Sequence, residues 1–311
     1  MNIKFLVLLV VCLSLFGSCS SQTAKSPHRK TDLEEMNLKG PVKALDVYSL
    51  NIDSYEAFLN ADSSYVKDNY SSRIQLRFND AGYLVKWNKY KTDSYHEYEI
   101  SYAYDEENKL IKTAFNNYDT KESYQIIQTY NEGDDLIAQQ TISNEIEIDR
   151  EEYQYDASGN IVTILYFEYG DLVRKTTKKY DQQNRHIASN QYQQGKLQQI
   201  VKYTYKGNEL SPALSYLYDP REEMIEYSSF KYRSDGEIEK YYTYSPDGEL
   251  RSKMEYVFNK NGDVEEENVD VVLPEKTSYN YEYDEIGNWI QKKKIVEGSI
   301  VEISVREIHY Y

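Results

Sequence analysis

Apolar and polar residues alternate along most of this chain, and the alternation is interrupted at regular intervals by a glycine. Tyr98, Ile100, Tyr102 and Tyr104 share one parity, while Glu97, Glu99, Ser101 and Ala103 take the other. Tyr279, Tyr281 and Tyr283 oppose Ser278, Asn280 and Glu282 in the same way. Leu250, Ser252, Met254, Tyr256 and Phe258 likewise oppose Glu249, Arg251, Lys253, Glu255 and Val257. Period two with one wet face predicts half-buried β-strands. The pattern breaks between Ile148 and Tyr153, which predicts a bulge or register change there.

The interruptions follow a rule. Gly82, Gly159, Gly236, Gly248, Gly262 and Gly287 each have Tyr or Phe four residues before and an apolar residue two after, as in Tyr155-Asp-Ala-Ser-Gly159-Asn-Ile161. Asn108, Asp134 and Asn184 stand in the glycine's place in further copies. Asn and Asp are the side chains that best tolerate a left-handed backbone, so the position is a turn corner with φ > 0. The predicted turn is a type I turn closed by a left-handed residue. A shorter turn falls between these, at Gly170, Gly195 and Gly298. The two turn types divide the chain from Val42 onward into about twenty strands.

These features predict an all-β fold: an elongated antiparallel meander of about twenty strands built from tandem hairpin repeats. A repeat of about 25 residues cannot bury its apolar face alone and must stack on its neighbours. A sheet of that width, about 95 Å if flat, has to curl, split or close. The tyrosine and aliphatic face is expected inside the roll. Val42–Leu50 reads as the first edge, shielded by Pro41. An insertion at 51–72 interrupts the meander, and Tyr55-Glu-Ala-Phe58-Leu59 reads as a short helix or loop capping one end.

The repeated turn of tyrosine, aspartate, glycine and aliphatic residue resembles the YD repeats of the Rhs and teneurin families over about residues 74–311. That resemblance implies a hollow β shell. The residue after the glycine is Tyr83, Asn160, Glu237, Glu249, Asp263 or Asn288 rather than the arginine frequent in Rhs repeats, and the chain ends at Tyr311 without a toxin domain. With its N-terminal anchor signal, the chain looks more like the uncharacterised repeat lipoproteins of Bacteroidetes-type bacteria.

That signal occupies residues 1–18. Lys4 precedes an apolar run from Phe5 to Phe16 that is too short to span a bilayer. Leu15-Phe16-Gly17-Ser18-Cys19 resembles a bacterial lipobox, which implies lipidation of Cys19 and a membrane partner. Residues 19–37 then read as a flexible tether and 38–311 as one β-repeat domain. Loss of the signal also removes Cys12, leaving no internal disulfide to form. Ser20 lacks the aspartate associated with inner-membrane retention, so the expected location is the outer membrane of a bacterial envelope.

The net charge of −16 repels nucleic acid and sets that partner aside. Tyrosine outnumbers phenylalanine 34 to 8, a preference for flat rings with a wet edge. Asp105, Asp156, Asp181 and Asp284 directly follow the motif tyrosine, where an aspartate caps its own turn. Nothing resembles a calcium loop, a zinc motif, a nucleophile elbow or a phosphate loop, so neither metal nor cofactor is expected. His186 occupies the aliphatic slot of its repeat, where a structural role is the default.

The reading that follows is a non-enzymatic envelope lipoprotein offering a binding or scaffold surface for glycan or cell-wall material. Tyr166, Tyr227 and Tyr241 are the candidate ligand-stacking residues, expected to be exposed on the parity opposite the motif tyrosines. The alternative is a protein-interaction scaffold using its edge strands or acidic outer face. A third reading is a hydrolase with a carboxylate pair inside the roll.

Overall fold

The computed structural model describes residues 30–52, 62–270 and 274–311. Twenty strands, from β1 (Val42–Asn51) to β20 (Ser299–Tyr310), form one antiparallel sheet in which each pairs with the next. β1 also pairs with β20, in a register running from Val42↔Tyr310 to Asn51↔Glu302. The sheet is therefore a closed antiparallel barrel built as a hairpin meander. Closure corrects the expected edge at Val42–Leu50: β1 has a partner on each side. The two unpaired backbone rows of an open sheet satisfy each other, which removes the edges altogether.

The predicted turn is present in detail. At Asp156–Asn160 the Gly159 amide donates to the Asp156 carbonyl (3.1 Å), the Asp156 amide donates to the Asn160 carbonyl (2.9 Å), and Gly159 has φ +82°. Asn108, Asp134 and Asn184 also have positive φ, at 62°, 71° and 59°. Glu222, at φ 64°, makes one more such corner in Asp219-Pro-Arg-Glu222. The glycine rule missed it because glutamate gains nothing in that conformation. The Asp156 carboxylate accepts from the amides of Ser158 and Asn160, both at 2.9 Å. The shorter turns at Tyr169-Gly170, Gln194-Gly195 and Glu297-Gly298 have two consecutive positive φ angles, the signature of a type I′ hairpin.

After each long turn the next strand carries one extra residue. Tyr155 pairs with Ile161 but Gln154 pairs with Thr163, so Val162 bulges out of the ladder. The irregularity expected near Ile148 is a further bulge, between the pairs Thr141↔Asp149 and Ile142↔Glu147. Each bulge resets which parity faces inward. Leu250 illustrates the effect: it pairs with Tyr244 across a shift while Ser252 pairs with Thr243, so it leaves the face of Ser252, Met254 and Tyr256 and is 48% exposed.

The motif tyrosine closes a gap that the turn creates. The ladder between β3 (Leu84–Thr92) and β4 (Tyr95–Tyr104) stops at Lys86↔Ser101, two residues short of Leu84. The Tyr104 hydroxyl donates to the Leu84 carbonyl at 2.8 Å in place of the missing rung. Tyr130 does the same to Leu110 (2.9 Å), Tyr155 to Leu136 (2.8 Å) and Tyr180 to Ile161 (2.9 Å), and two tyrosines outside the motif positions make the same bond, Tyr205 to His186 (2.7 Å) and Tyr281, two residues before motif Tyr283, to Val264 (2.7 Å). Each lies three residues beyond the last paired position of its strand. Phenylalanine cannot supply this bond, which gives six of the 34 tyrosines a reason to be tyrosine. Where Phe258 takes the position, the Arg233 guanidinium covers its ring, 4.1 Å from the centroid.

Two long turns, Tyr218–Met224 and Tyr244–Leu250, lie at the opposite mouth of the barrel from the rest. The turn has a fixed hand, and the meander advances in one direction around the barrel. The same turn at the other mouth must therefore place its aromatic on the other face. Accordingly Tyr244 pairs with Tyr227, while Tyr232 belongs to the face of Ser228 and Phe230.

The N-terminal segment identifies the inner face. Helix α1 (Asp32–Glu35), closed by a Thr31–Glu34 capping box, begins a strap across the mouth where most long turns gather. Leu33 N donates to the Gly82 carbonyl (3.2 Å). Asn37 Nδ2 donates to the Asn261 carbonyl (3.0 Å), and Lys39 N donates to Asn288 Oδ1 (2.8 Å). These are neighbouring long turns of the rim, on either side of the β20–β1 seam. Leu33, Met36 and Leu38 pack on Leu45, Leu76, Phe78 and Leu84, so that face of the sheet lies inside. Helix α2 (Ser63–Asp68) lies on the opposite face, with Val66 against Leu50, Ile303 and Val305. Residues 55–59 lie outside the described residues.

The outer face carries cross-strand ion pairs, Lys86–Glu99 (2.8 Å), Lys240–Glu255 (2.9 Å) and Lys276–Glu266 (3.0 Å). A lipid-facing barrel instead shows an apolar band about 25 Å tall, flanked by aromatic girdles. Rows of Lys and Glu along the strands make this outer wall water-facing. Among the described residues no helix is long and apolar enough to cross a membrane.

The hydroxyl interlock gives a direct expectation. Tyr155→Phe leaves the Leu136 carbonyl without its partner and is expected to lower stability by about 1 kcal/mol in urea denaturation. Tyr169→Phe, at a turn position 74% exposed, is expected to change it by less than about 0.5 kcal/mol. Equal effects at both positions contradict the interlock.

Candidate functional site

Strands β18 (Pro274–Tyr283), β19 (Trp289–Val296) and β20 place an aromatic and cationic cluster on the inner wall. Tyr281 pairs with Lys292, Lys292 with Ser304, and Val47 with Arg306, which sets these side chains on the face of the strap-packed core. Trp289 shares that face through its pairing with Tyr283 and is 9% exposed. The Arg306 guanidinium lies 3.4 Å from the centroid of the Trp289 ring. Lys292 Nζ lies 5.3 Å from Trp289 and 5.7 Å from the Tyr279 ring.

Burial pushes the Arg306 guanidinium down to about 10, against the pull of Asp263 and Tyr281. Burial also lowers the Lys292 ammonium, and Arg306 and Lys294 add to the shift while Glu302 opposes it. The neighbouring carboxylates are engaged elsewhere. Glu267 accepts from the Tyr279 hydroxyl (3.1 Å) and Glu302 from Ser304 (2.9 Å). Asp263 accepts from the Tyr283 hydroxyl (2.9 Å) and from Asn37 of the strap (3.3 Å). The buried Nε of Arg306 has no hydrogen-bond partner.

About half-way round the barrel, β8 (Ile146–Tyr155) and β9 (Ile161–Glu168) carry an acidic inward patch of Asp149, Glu151 and Glu168. Burial raises the Asp149 carboxyl; Thr141 opposes the shift and Glu151 and Glu168 add to it. Tyr153 donates to Glu151 (2.7 Å) and Tyr166 to Glu168 (3.3 Å), with Arg174 3.6 Å from Glu151. The first wall thus mixes cations with carboxylates, while the second is mainly acidic. Among the described residues no group of three or more His, Cys, Asp or Glu is placed to hold a metal ion.

Tyr166, Tyr227 and Tyr241 are all half-buried, which corrects their expected exposure. Tyr166 and Tyr241 share the inward face of the motif tyrosines, because the bulges at Val162 and Glu239 reset the parity. The Arg174 guanidinium covers the Tyr166 ring (4.7 Å), and Phe230 packs on Tyr241 (5.3 Å). Tyr227 lies on the outer face, stacked on Tyr244 at 4.9 Å and 15°. The three do not form one platform, and their ring faces are partly occupied by neighbours. Cys19 lies outside the described residues.

Trp289, Lys292 and Arg306 were not singled out by sequence reasoning. A signal existed: Lys292-Lys293-Lys294 is a basic run in a strongly acidic chain, and period two puts its first and third members on one face.

His186 Nε2 lies 3.0 Å from the Ala188 carbonyl and 2.8 Å from Ser189 Oγ. Both contacts hold the ring in place within its own strand. Burial, with Lys178 in support, pushes the imidazole down to about 4.

No protein-family profile matches the chain, and no curated protein matches it. Among solved structures it is similar to TcdB2-TccC3-TEV, at 8% identity and a TM-score of 0.37, covering 76% of this chain and 15% of that one. It is also similar to a porin-like protein from Bacteroides uniformis ATCC 8492, at 10% identity and a TM-score of 0.35, covering 87% and 99%. The chain thus spans about one-seventh of the first of these and almost all of the second. Neither likeness bears on function.

The His186 shift sets a pH expectation. The native value lies below the unfolded one, so the unfolded chain binds the proton first as pH falls. The neutral imidazole's contribution is complete above about pH 6.5 and is lost progressively between there and pH 4, by about 3 kcal/mol. His186→Leu is expected to flatten the stability–pH curve in that window relative to the unsubstituted protein. An unchanged curve contradicts burial of a neutral imidazole.

Proposed function

We propose that this is a non-enzymatic binding protein of the bacterial cell envelope, anchored through a lipid on Cys19 at the outer membrane, whose barrel interior takes glycan or cell-wall material. The observation that carries the reading is the contrast between the two faces. The outer wall carries Lys–Glu pairs, while the inner wall gathers Trp289, the tyrosines of β18 and the cations Lys292 and Arg306 over the indole ring. Aromatic surface beside donor groups is the chemistry that orients sugar rings. A round ring of twenty strands would be about 30 Å across, wider than its own side chains fill. The YD-like turns fit a shell that encloses something.

A specific observation favours a protein-interaction scaffold as the second reading. Tyr95, Tyr118, Ile146, Tyr169 and Leu172 are exposed at successive turns of one mouth, with Ile146 60% and Tyr169 74% accessible. Closure leaves no free strand edge among the described residues, so a partner would dock on this rim or on the acidic outer face rather than by strand addition. The acidic patch on β8 and β9 is where the third reading, a hydrolase, would place its carboxylate pair.

The binding-protein reading predicts that residues 20–311 bind a defined glycan or peptidoglycan fragment on an array and that Trp289→Ala abolishes the signal. Retention of the hit in the variant moves the site off the inner wall. A blank array with a partner crosslinked at Tyr169 favours the scaffold. Anchoring is tested separately: Cys19→Ala is expected to abolish fatty-acid labelling and release the protein from the membrane fraction, and undiminished labelling rejects it.

A further inference from the structure

We propose that Arg306 and Lys292 form a recognition site for an oxyanion, the carboxylate or phosphate of an acidic ligand, on the inner wall between β19 and β20. The proposal rests on the reading above only in taking the inner wall as the ligand-bearing surface.

Arg306 is stacked face-on against an aromatic ring, with its guanidinium carbon 3.4 Å from the Trp289 centroid. A guanidinium held by its face keeps its N–H donors in its own plane, directed past the ring. Those donors suit two oxygens of one carboxylate or phosphate. Nε is buried and has no hydrogen-bond partner among the described residues. Desolvating a guanidinium costs several kcal/mol unless a counter-charge is supplied. Stacking on an indole returns only about 2 kcal/mol of that.

Among the described residues no carboxylate forms an ion pair with Arg306 or Lys292; Asp263 and Glu302 act on them only through space. Asp263 is the first carboxylate to act on Arg306 through space, but its two oxygens accept from Asn37 and from Tyr283. Glu302 and Glu267 accept from Ser304 and Tyr279. Lys292, over the same indole, has neither a hydrogen bond nor an ion pair within 4 Å among the described residues. A second cation beside the first raises the cost of leaving both unpaired, and burial and Arg306 both act on it in that sense. Two cations sharing one indole, with no directly paired carboxylate among the described residues, leave room for an anion that binds both. Lys292 adds a point charge to the planar fork of Arg306, which is the complement of a group that is both flat and doubly accepting.

The test uses the mature protein with Trp87→Phe, which leaves Trp289 as the sole tryptophan. Its fluorescence is titrated at constant ionic strength with inorganic phosphate, with a trimer of galacturonic acid and with a neutral galactose trimer as control. The expected result is a saturable change with phosphate, the galacturonate trimer or both, and none with the neutral trimer. Which of the two acts distinguishes phosphate from carboxylate as the preferred group. Arg306→Gln is expected to weaken binding at least tenfold. Lys292→Gln keeps the indole stack intact and is expected to weaken it several-fold, which holds the test open should Arg306→Gln fail to fold. No saturable response to either anion, or unchanged affinity in a folded Lys292→Gln variant, overturns the proposal. Anion binding with a blank glycan array would leave this site standing and reject the glycan reading. Neutral-glycan binding without anion binding would do the reverse.

Discussion

The hydrogen bond from a tyrosine hydroxyl to the carbonyl at the start of the preceding hairpin is the contact on which this barrel depends. A turn that needs a left-handed corner and a bulge leaves the next strand out of register for two residues. The backbone ladder cannot reach into that gap. A side chain that is flat enough to lie along the sheet and ends in a hydroxyl can. Tyr104, Tyr130, Tyr155, Tyr180, Tyr205 and Tyr281 each bridge back to the previous repeat, so adjacent hairpins are tied at their turns as well as along their strands. Each bond is modest, about 1 kcal/mol, but it recurs at the weakest point of six units. Phe78 opens the series with no earlier repeat to reach, and it fills the core with Leu76 and Leu84 instead.

Much of this was legible in the sequence because it is local. The spacing from Tyr155 to Gly159 to Ile161 encodes the turn, and Asn108, Asp134 and Asn184 at the glycine position encode its backbone sign. The strand count follows from the turn count. The bulges were not legible, since a bulge changes the pairing without changing the composition. One extra residue at Val162 is enough to bring Tyr166 to the inner face, and one at Arg251 turns Leu250 outward. Closure was also out of reach. The register that joins β1 to β20 is set by the accumulated twist of twenty strands, not by any motif in Val42–Asn51. The strap reads as tether, yet Thr31–Lys39 ties turns that are hundreds of residues apart in the chain.

Closure gives the molecule two chemically different sides. Outside, lysine and glutamate alternate across neighbouring strands and keep the wall wet. Inside, tyrosines lie among a half-buried acidic patch near Asp149 and a half-buried patch that holds Lys292 and Arg306, roughly on opposite walls. Charges of this kind cost stability, a cost that the ligand proposed for the inner wall would offset. The strap sits close to the basic patch, since Asn37 holds the Asp263 carboxylate that faces Arg306. Binding on that wall and the order of the N-terminal segment are therefore linked through one carboxylate.

Every functional statement depends on there being an inside, and therefore on the pairing of the first strand with the last. Ser49 and Ser304 lie directly opposite across that seam, with hydroxyl oxygens 2.8 Å apart. Cysteines at those two positions, in a chain whose native cysteines are replaced, are in range of a disulfide because directly opposed strand residues are about 5 Å apart at Cα. A closed barrel predicts rapid, intramolecular disulfide formation under mild oxidation, with the fold retained, as read by mass spectrometry and circular dichroism. Two free thiols after oxidation, or a bond formed only between molecules, would mean that the sheet is open and that the inner wall described above does not exist.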